Sequence, residues 1–102
     1  MKLCYIAGPY RAKTIYGIQQ NIRAAEAVAL KYWRKGFAVI CPHKNTALFD
    51  GAMPDETWLA GAIEIMKRCD VIVVMQGYEN SVGTKFEILE AAKLGMKVIF
   101  DE

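Results

Sequence analysis

Five consecutive apolar residues, Val71-Ile72-Val73-Val74-Met75, constrain the fold of this chain more than any other stretch. β-Branched residues dominate the run and no polar residue alternates with them. Such a segment reads as a strand buried on both faces, introduced by Asp70, and not as one side of a solvated hairpin. A strand of that kind needs cover above and below its sheet.

The rest of the chain supplies that cover by alternating strand-like and helix-like segments. Leu3-Cys4-Tyr5-Ile6-Ala7 is a short apolar strand stopped by Gly8-Pro9. Thr14 then caps a helix over Ile15 to Lys35, whose apolar stripe is Ile18, Ile22, Ala25, Val28, Ala29 and Tyr32. Gly36 ends that helix, and Phe37-Ala38-Val39-Ile40-Cys41 forms the second strand, closed by Pro42. His43 to Pro54 has no clear period and is expected to be a long loop, able to act as a lid. Asp55 is expected to cap the next helix, with Trp58, Leu59, Ala62, Ile63 and Met66 facing inward. Beyond the central strand, Phe86, Leu89, Ala91 and Ala92 pattern a third helix up to Gly95, and Lys97-Val98-Ile99-Phe100 is a fourth strand.

Short connections in a β-α-β-α-β-α-β order predict a parallel sheet with right-handed crossovers. The expected architecture is a three-layer α/β sandwich, flavodoxin-like or Rossmann-like, with four or five strands in the order 2-1-3-4. Ligands bind such sheets beyond the carboxyl ends of the strands, where the strand order switches. Here that point lies between the loops after the first and third strands.

Composition bounds the function. At 102 residues and 54% hydrophobic content the chain is expected to form one domain over 1–102, too small for a second lobe. A net charge of +2 gives no broad footprint for a nucleic acid polymer. Cys4, Cys41 and Cys69 are odd in number and lack C-x-x-C spacing, so reduced thiols in a cytoplasmic protein are expected. No apolar run approaches the ~18 residues that span a bilayer. Met1-Lys2 leads straight into a strand, so neither a signal sequence nor a membrane partner is expected.

The chemistry concentrates in Asn80-Ser81-Val82-Gly83-Thr84-Lys85-Phe86-Glu87. Ser81 can cap the helix, Gly83 lets a ligand approach the backbone, and free N–H groups at that end suit a phosphate. Glu87 follows Gly83 by four residues on the same helical face, and its side chain leans back toward the loop. A lone Glu on a helix is ordinarily a solvated residue, and Ser at a helix start is ordinarily only a cap. The switch point gives both a second meaning. Gly8 and Pro9 either punctuate the first strand or present backbone donors to the same crevice. Arg11 is either a surface charge or a partner for a phosphate, and Tyr5 either packs in the core or orients a nearby carboxylate. His43 is the sole histidine and has no carboxylate at ligand spacing, so no metal is expected and hydrogen bonding to a substrate is its functional reading. Neither G-x-x-x-x-G-K-[ST] nor G-x-G-x-x-G occurs, which weakens ATPase and dehydrogenase readings; no cofactor is expected.

Carrying Tyr5-Ile6-Ala7-Gly8-Pro9, Cys41-Pro42-His43, Cys69-Asp70-Val71-Ile72-Val73 and Ser81-x-Gly83-x-x-x-Glu87 in this order, the chain resembles the nucleoside 2-deoxyribosyltransferase superfamily, which includes the 2'-deoxynucleoside 5'-monophosphate N-glycosidases. The resemblance covers nearly the whole chain. It implies that Glu87 is the nucleophile that attacks the anomeric carbon and that Tyr5 holds it. Arg11 and His43 match polar positions of the monophosphate glycosidases. Nucleoside transferases tend to carry Asp where this chain has Ser81, so serine there implies a 5'-phosphate on the substrate. The resemblance further implies a homodimer or higher homo-oligomer acting on a nucleoside or nucleotide. One departure stands out: an Asp usual on the helix before the third strand is Ala62 here, and Glu64 lies on a different face. The rival expectation is therefore a non-catalytic nucleotide or phosphosugar-binding module. A flavodoxin-like electron carrier is disfavoured, because no Ser/Thr/Gly-rich phosphate loop follows the first strand.

Overall fold

The computed structural model describes residues 1–102. Strand β1 (Leu3–Ala7) leads to helix α1 (Ile15–Arg34), strand β2 (Ala38–Ile40), the one-turn helix α2 (Pro42–Asn45), helix α3 (Asp55–Met66) and strand β3 (Val71–Val74). A 3₁₀ turn (Tyr78–Asn80), helix α4 (Val82–Lys93) and strand β4 (Lys97–Phe100) complete the chain. The four strands form one parallel sheet in the order β2-β1-β3-β4. Fold class and strand order are those expected; no fifth strand is present. No helix is long and apolar enough to cross a membrane.

Strand pleat divides the core in two. Cys4, Ile6, Val71, Val73 and Met75 pack on Ala25, Ala29 and Tyr32 of α1. Tyr5, Ala7, Ile72 and Val74 project to the opposite face, against Ile63 and Met66 of α3 and Ala91 of α4. Registers Cys4↔Val71 through Ala7↔Val74 bring the carboxyl ends of β1 and β3 level, so their loops leave the sheet side by side. All four β3 residues are buried, as a central parallel strand requires.

Local chemistry sets the boundaries. The Thr14 hydroxyl accepts from the Gly17 N–H at 3.0 Å and starts α1, and Gly36 follows its end at φ +96°, a conformation that favours glycine. Strand β2 is shorter than the sequence implies: Phe37 stays outside it, and Cys41 becomes the N-cap of α2 with Pro42 at the first helical position. That single turn replaces the start of the expected loop. Asp55 does not cap α3; Pro54 takes the N-cap position, and Asp55 is the first helical residue. Of the expected inward residues of α3, Ile63 and Met66 are buried, whereas Trp58, Leu59 and Ala62 are half-buried. Cys4 and Cys69 are buried, Cys41 is half-buried, and all three are free thiols.

Helix α4 departs most from its sequence pattern. Thr84, Glu87 and Ala91 face the core, and Phe86, Leu89 and Ala92 face outward. Leu89 is 62% exposed and Val82 85%. A carboxylate has taken the place in the core that hydrophobic periodicity assigns to the apolar residues.

Candidate active site

Glu87 reaches the sheet because Ser81 fixes where α4 begins. The Ser81 hydroxyl accepts from the Thr84 N–H at 3.2 Å, which sets the rotation of the helix so that positions 84, 87 and 91 point inward. Tyr5 meets it from β1, on the face of the sheet that α3 and α4 cover. Its hydroxyl donates to Glu87 Oε2 in a buried contact between residues 82 positions apart in sequence. Glu87 is only 9% exposed, and burial pushes its carboxyl up to about 7, against the pull of the Tyr5 hydrogen bond. The Tyr5 phenol is driven far upward by its own burial and then by the neighbouring carboxylate, so it stays a protonated donor. Glu87 Oε1 accepts no hydrogen bond and is not sealed from solvent, which leaves one oxygen held and the other free.

The loops after β1 and β3 pack on each other. A Cβ on Gly8 would lie 2.3 Å from the Met75 sulfur, so close packing of the β1 and β3 loops accounts for that glycine. A Cβ on Gly77 would come within 3.8 Å of the Pro9 ring. His43, 5% exposed on α2, contacts the Pro9 carbonyl through Nε2 at 2.9 Å. That contact assigns the ring proton to Nε2 and leaves Nδ1 a buried acceptor without a partner. Burial pushes the imidazole below its ordinary value, which keeps it neutral. Gly83 contrasts with Gly8: nothing lies within 4 Å of the place its Cβ would occupy. The first turn of α4 therefore has open room above its backbone. The Arg11 guanidinium is engaged by Asp55 at 2.6 Å, both side chains largely exposed. An exposed pair of this kind contributes little and exchanges readily.

Several contacts around the site lie beyond what the sequence pattern implies. Tyr10 donates to Asp50 at 2.6 Å and accepts from the Leu48 N–H at 2.9 Å, pinning the 46–54 segment to the first loop. Leu48 adopts φ +60°, a costly conformation for a non-glycine residue. Asn21, on the polar side of α1, donates to the carbonyls of Tyr10 and Arg11 at 2.8 and 3.2 Å. Trp58 packs at a tilt against Phe49 of the same segment, and its indole N–H is buried without a partner. An Asn inside an amphipathic helix was the available signal for Asn21; the spacing of Tyr10 from residues 48 and 50 offered none. Glu64 turns to the surface, where Arg68 and Lys67 bind it, and does not replace the carboxylate missing at Ala62. A groove of about 750 Å³ lies elsewhere, along the open edge of β2 between Trp33 and Ile65. Its charged lining is Glu26 and Lys44, which pair with each other, and it contains none of the candidate residues.

A profile of a domain of unknown function, DUF7768, matches residues 2–101. The chain belongs to the DUF7768 family. No curated protein matches the DUF7768 chain. Among solved structures it is similar to a 2-deoxyribosyltransferase from Leishmania mexicana, with a TM-score of 0.70 and 23% identity. That match covers 98% of this chain and 63% of the Leishmania protein, so the DUF7768 domain spans less than two thirds of that relative. It is also similar to the 2-deoxyribosyltransferase of Bacillus psychrosaccharolyticus, described as a biocatalyst for nucleoside synthesis, with a TM-score of 0.68 and 20% identity over 96% of this chain and 70% of that one. The DUF7768 domain thus has the α/β fold of 2-deoxyribosyltransferases.

Proposed function

We propose that this domain cleaves the N-glycosidic bond of a nucleoside or nucleotide, with a 2'-deoxynucleoside 5'-monophosphate as the favoured substrate. The observation that carries the reading is Glu87: a buried carboxyl, one oxygen fixed by Tyr5 and the other free, at the switch point of a sheet folded like that of 2-deoxyribosyltransferases. A carboxylate so held is a nucleophile poised for one atom. Glu87 Oε1 attacks the anomeric carbon as the C1'–N bond breaks; the electron pair of that bond leaves with the base, which takes its proton from solvent water. The oxocarbenium-like transition state is positively charged, so a carboxylate in a poorly hydrated site stabilises it strongly. Water then opens the glycosyl ester to the free sugar phosphate and regenerates the carboxylate; a second base in place of water gives transfer.

The rest of the site fits a sugar phosphate. Ser81, the free N–H groups of the first turn of α4 and the open room above Gly83 suit the phosphate. Arg11 can exchange Asp55 for it, and the His43 Nδ1 acceptor suits a hydroxyl or amino donor of the substrate. Gly8 and Pro9 line the same loop junction. Exposed Val82, Phe86 and Leu89 on the outer face of α4 favour assembly as a homodimer. Three free thiols favour a cytoplasmic setting.

Ala62 favours a second reading, a module that binds a nucleotide or phosphosugar without turning it over, since no carboxylate from α3 joins Glu87. Incubation with the common deoxynucleoside monophosphates, followed by chromatography of free base, separates the two. Release by the wild type and none by Glu87→Ala supports the enzyme; binding without release selects the module; equal release by both proteins overturns the nucleophile assignment.

A further inference from the structure

We infer that the indole N–H of Trp58 is the hydrogen-bond donor for the departing base, meeting the ring nitrogen or carbonyl oxygen that gains charge as the glycosidic bond opens. The inference rests on the proposed cleavage at Glu87, and it adds the group that faces the other half of the substrate.

Two buried polar side-chain atoms have no hydrogen-bond partner, His43 Nδ1 and Trp58 Nε1. A buried polar group left unpaired is costly, so a chain that keeps two of them has a use for them. Both border the 46–54 segment. The Tyr10 ring lies 6.1 Å from that of His43, and its hydroxyl holds Asp50 and the Leu48 N–H. Phe49 of the same segment packs against the Trp58 indole with ring centroids 5.9 Å apart. One orphan is an acceptor and the other is a donor. A nucleobase carries the complement of each on one planar ring, and the aromatic side chains beside them suit such a ring.

The helix places Trp58 on the correct side of the sheet. Helix α3 leads into the parallel strand β3, so its first turn stands at the carboxyl ends of the strands. Ala62 of α3 packs on the core cluster that contains Tyr5. Trp58 is four residues earlier on the same helical face, and its side chain leans further toward that end. The indole therefore stands one turn beyond Ala62 on the face where Tyr5 holds Glu87. The segment above it is lightly held. Leu48 adopts φ +60°, and Leu48 and Phe49 are each 51% exposed, so displacement of this segment uncovers the N–H at little cost.

A neutral donor fits this reaction. Ala62 gives its helix face no acid, so the base departs with the electron pair of the C1'–N bond and no proton. The charge spreads to the acceptor beside the glycosidic nitrogen, N3 of a purine or O2 of a pyrimidine. Trp58 donates to that atom and keeps its own proton, since an indole N–H is a donor only; solvent water then protonates the free base. The bond strengthens as the charge grows, so it favours the transition state over bound substrate.

Calorimetric titration in the Glu87→Gln background, where turnover is blocked, tests the assignment with the common deoxynucleoside 5'-monophosphates and with 2-deoxyribose 5-phosphate, which has no base. Trp58→Phe keeps an aromatic ring against Phe49 and removes the N–H. It is expected to weaken the monophosphates about tenfold and to leave 2-deoxyribose 5-phosphate unchanged. In a Glu87→Gln/Trp33→Phe protein, where Trp58 is the sole tryptophan, its emission should change with the monophosphates and not with the sugar phosphate. An equal loss for both ligand classes, an unchanged monophosphate affinity or an unmoved emission overturns the proposal, and the emission decides alone if Trp58→Phe does not fold. On proteins that retain Glu87, Trp58→Phe should lower kcat about 100-fold, more than it weakens binding. An unchanged kcat overturns the role at the departing base. No base release by the wild type, with both binding results as expected, refutes the enzyme and leaves Trp58 as the donor to a bound base.

Discussion

Helices α1 and α4 both cover the sheet, and they do so by opposite means. The buried residues of α1 are Ala25, Ala29 and Tyr32, all on the stripe that hydrophobic spacing predicts. The buried residues of α4 are Thr84, Glu87 and Ala91, while Val82, Phe86 and Leu89 are left outside. Hydrophobic burial decides the rotation of α1. A serine cap and a tyrosine hydrogen bond decide that of α4, and the helix keeps a carboxyl in the core at a cost in stability. The element that breaks the pattern is the one that carries the candidate chemistry.

The sharpest way to break this contrast is Glu87→Gln. On the proposed reading, base release falls by about 10³-fold or more, because a neutral amide cannot form the glycosyl ester. Stability should move the other way. The folded carboxyl titrates at about 7, above its ordinary 4.5, so the folded state holds its proton more tightly than the unfolded chain. Stability from this group is complete below the lower value and is lost as pH rises from there through about 7, roughly 3 kcal/mol across that window. Urea denaturation at pH 5 and pH 8 should show the wild type losing stability on this scale and the glutamine variant losing much less. A parallel decline in both would place the effect on other groups.

Tyr5→Phe has a smaller effect with a directional signature. The lost hydrogen bond pulls the Glu87 carboxyl down, so without it the carboxyl rises further and the ascending limb of the kcat/KM profile moves to higher pH. At neutral pH the rate should drop about tenfold from lost ionisation and orientation together. A rate loss with an unmoved limb would make Tyr5 a packing residue only.

Gly83→Ala separates fold from ligand. With nothing beyond the backbone of its own helix within 4 Å of the new methyl group and a helical position to occupy, the protein should be as stable as the parent or about 0.5–1 kcal/mol more stable. Monophosphate affinity should nonetheless fall by about tenfold if the phosphate needs that room. Loss of stability would show that the glycine serves the fold; unchanged affinity would move the ligand elsewhere.

What can be read from sequence divides along the same line. The strands, their order and the face of α1 follow from apolar runs and periodicity, which record the burial that dominates folding energetics. The Ser81–Glu87 stretch stands out through cap chemistry and spacing, and the Tyr5–Glu87 partnership comes from resemblance; the fold brings those two together across the sheet. Periodicity places Ala91 in the core correctly and misplaces Phe86, Leu89 and Ala92, because Thr84 and the hydrogen-bonded carboxyl of Glu87 fill the rest of the inward face of α4. The α2 turn and the Pro54 cap escape a sequence reading because four residues carry no period and proline offers no side-chain acceptor. Tyr10 and Asn21 act through contacts that depend on where loops settle after folding. No local pattern encodes those contacts.

The mildest change tests whether α1 is scaffold alone. The Tyr32 hydroxyl donates to Asp101 Oδ1 at 3.1 Å, and Lys31 Nζ meets the same oxygen at 2.8 Å, so the end of α1 is tied to the segment after β4. Tyr32→Phe keeps the buried ring and the Lys31 pair and removes one hydrogen bond to a charged acceptor. About 1 kcal/mol of stability should be lost, seen as a lower urea midpoint at an unchanged slope. Base release and the preference for monophosphates should match the parent, because Tyr32 packs on the face of the sheet opposite Tyr5 and Glu87. A change in either would mean that the two faces are coupled through the four strands, and the division between a helix that holds and a helix that acts would fail.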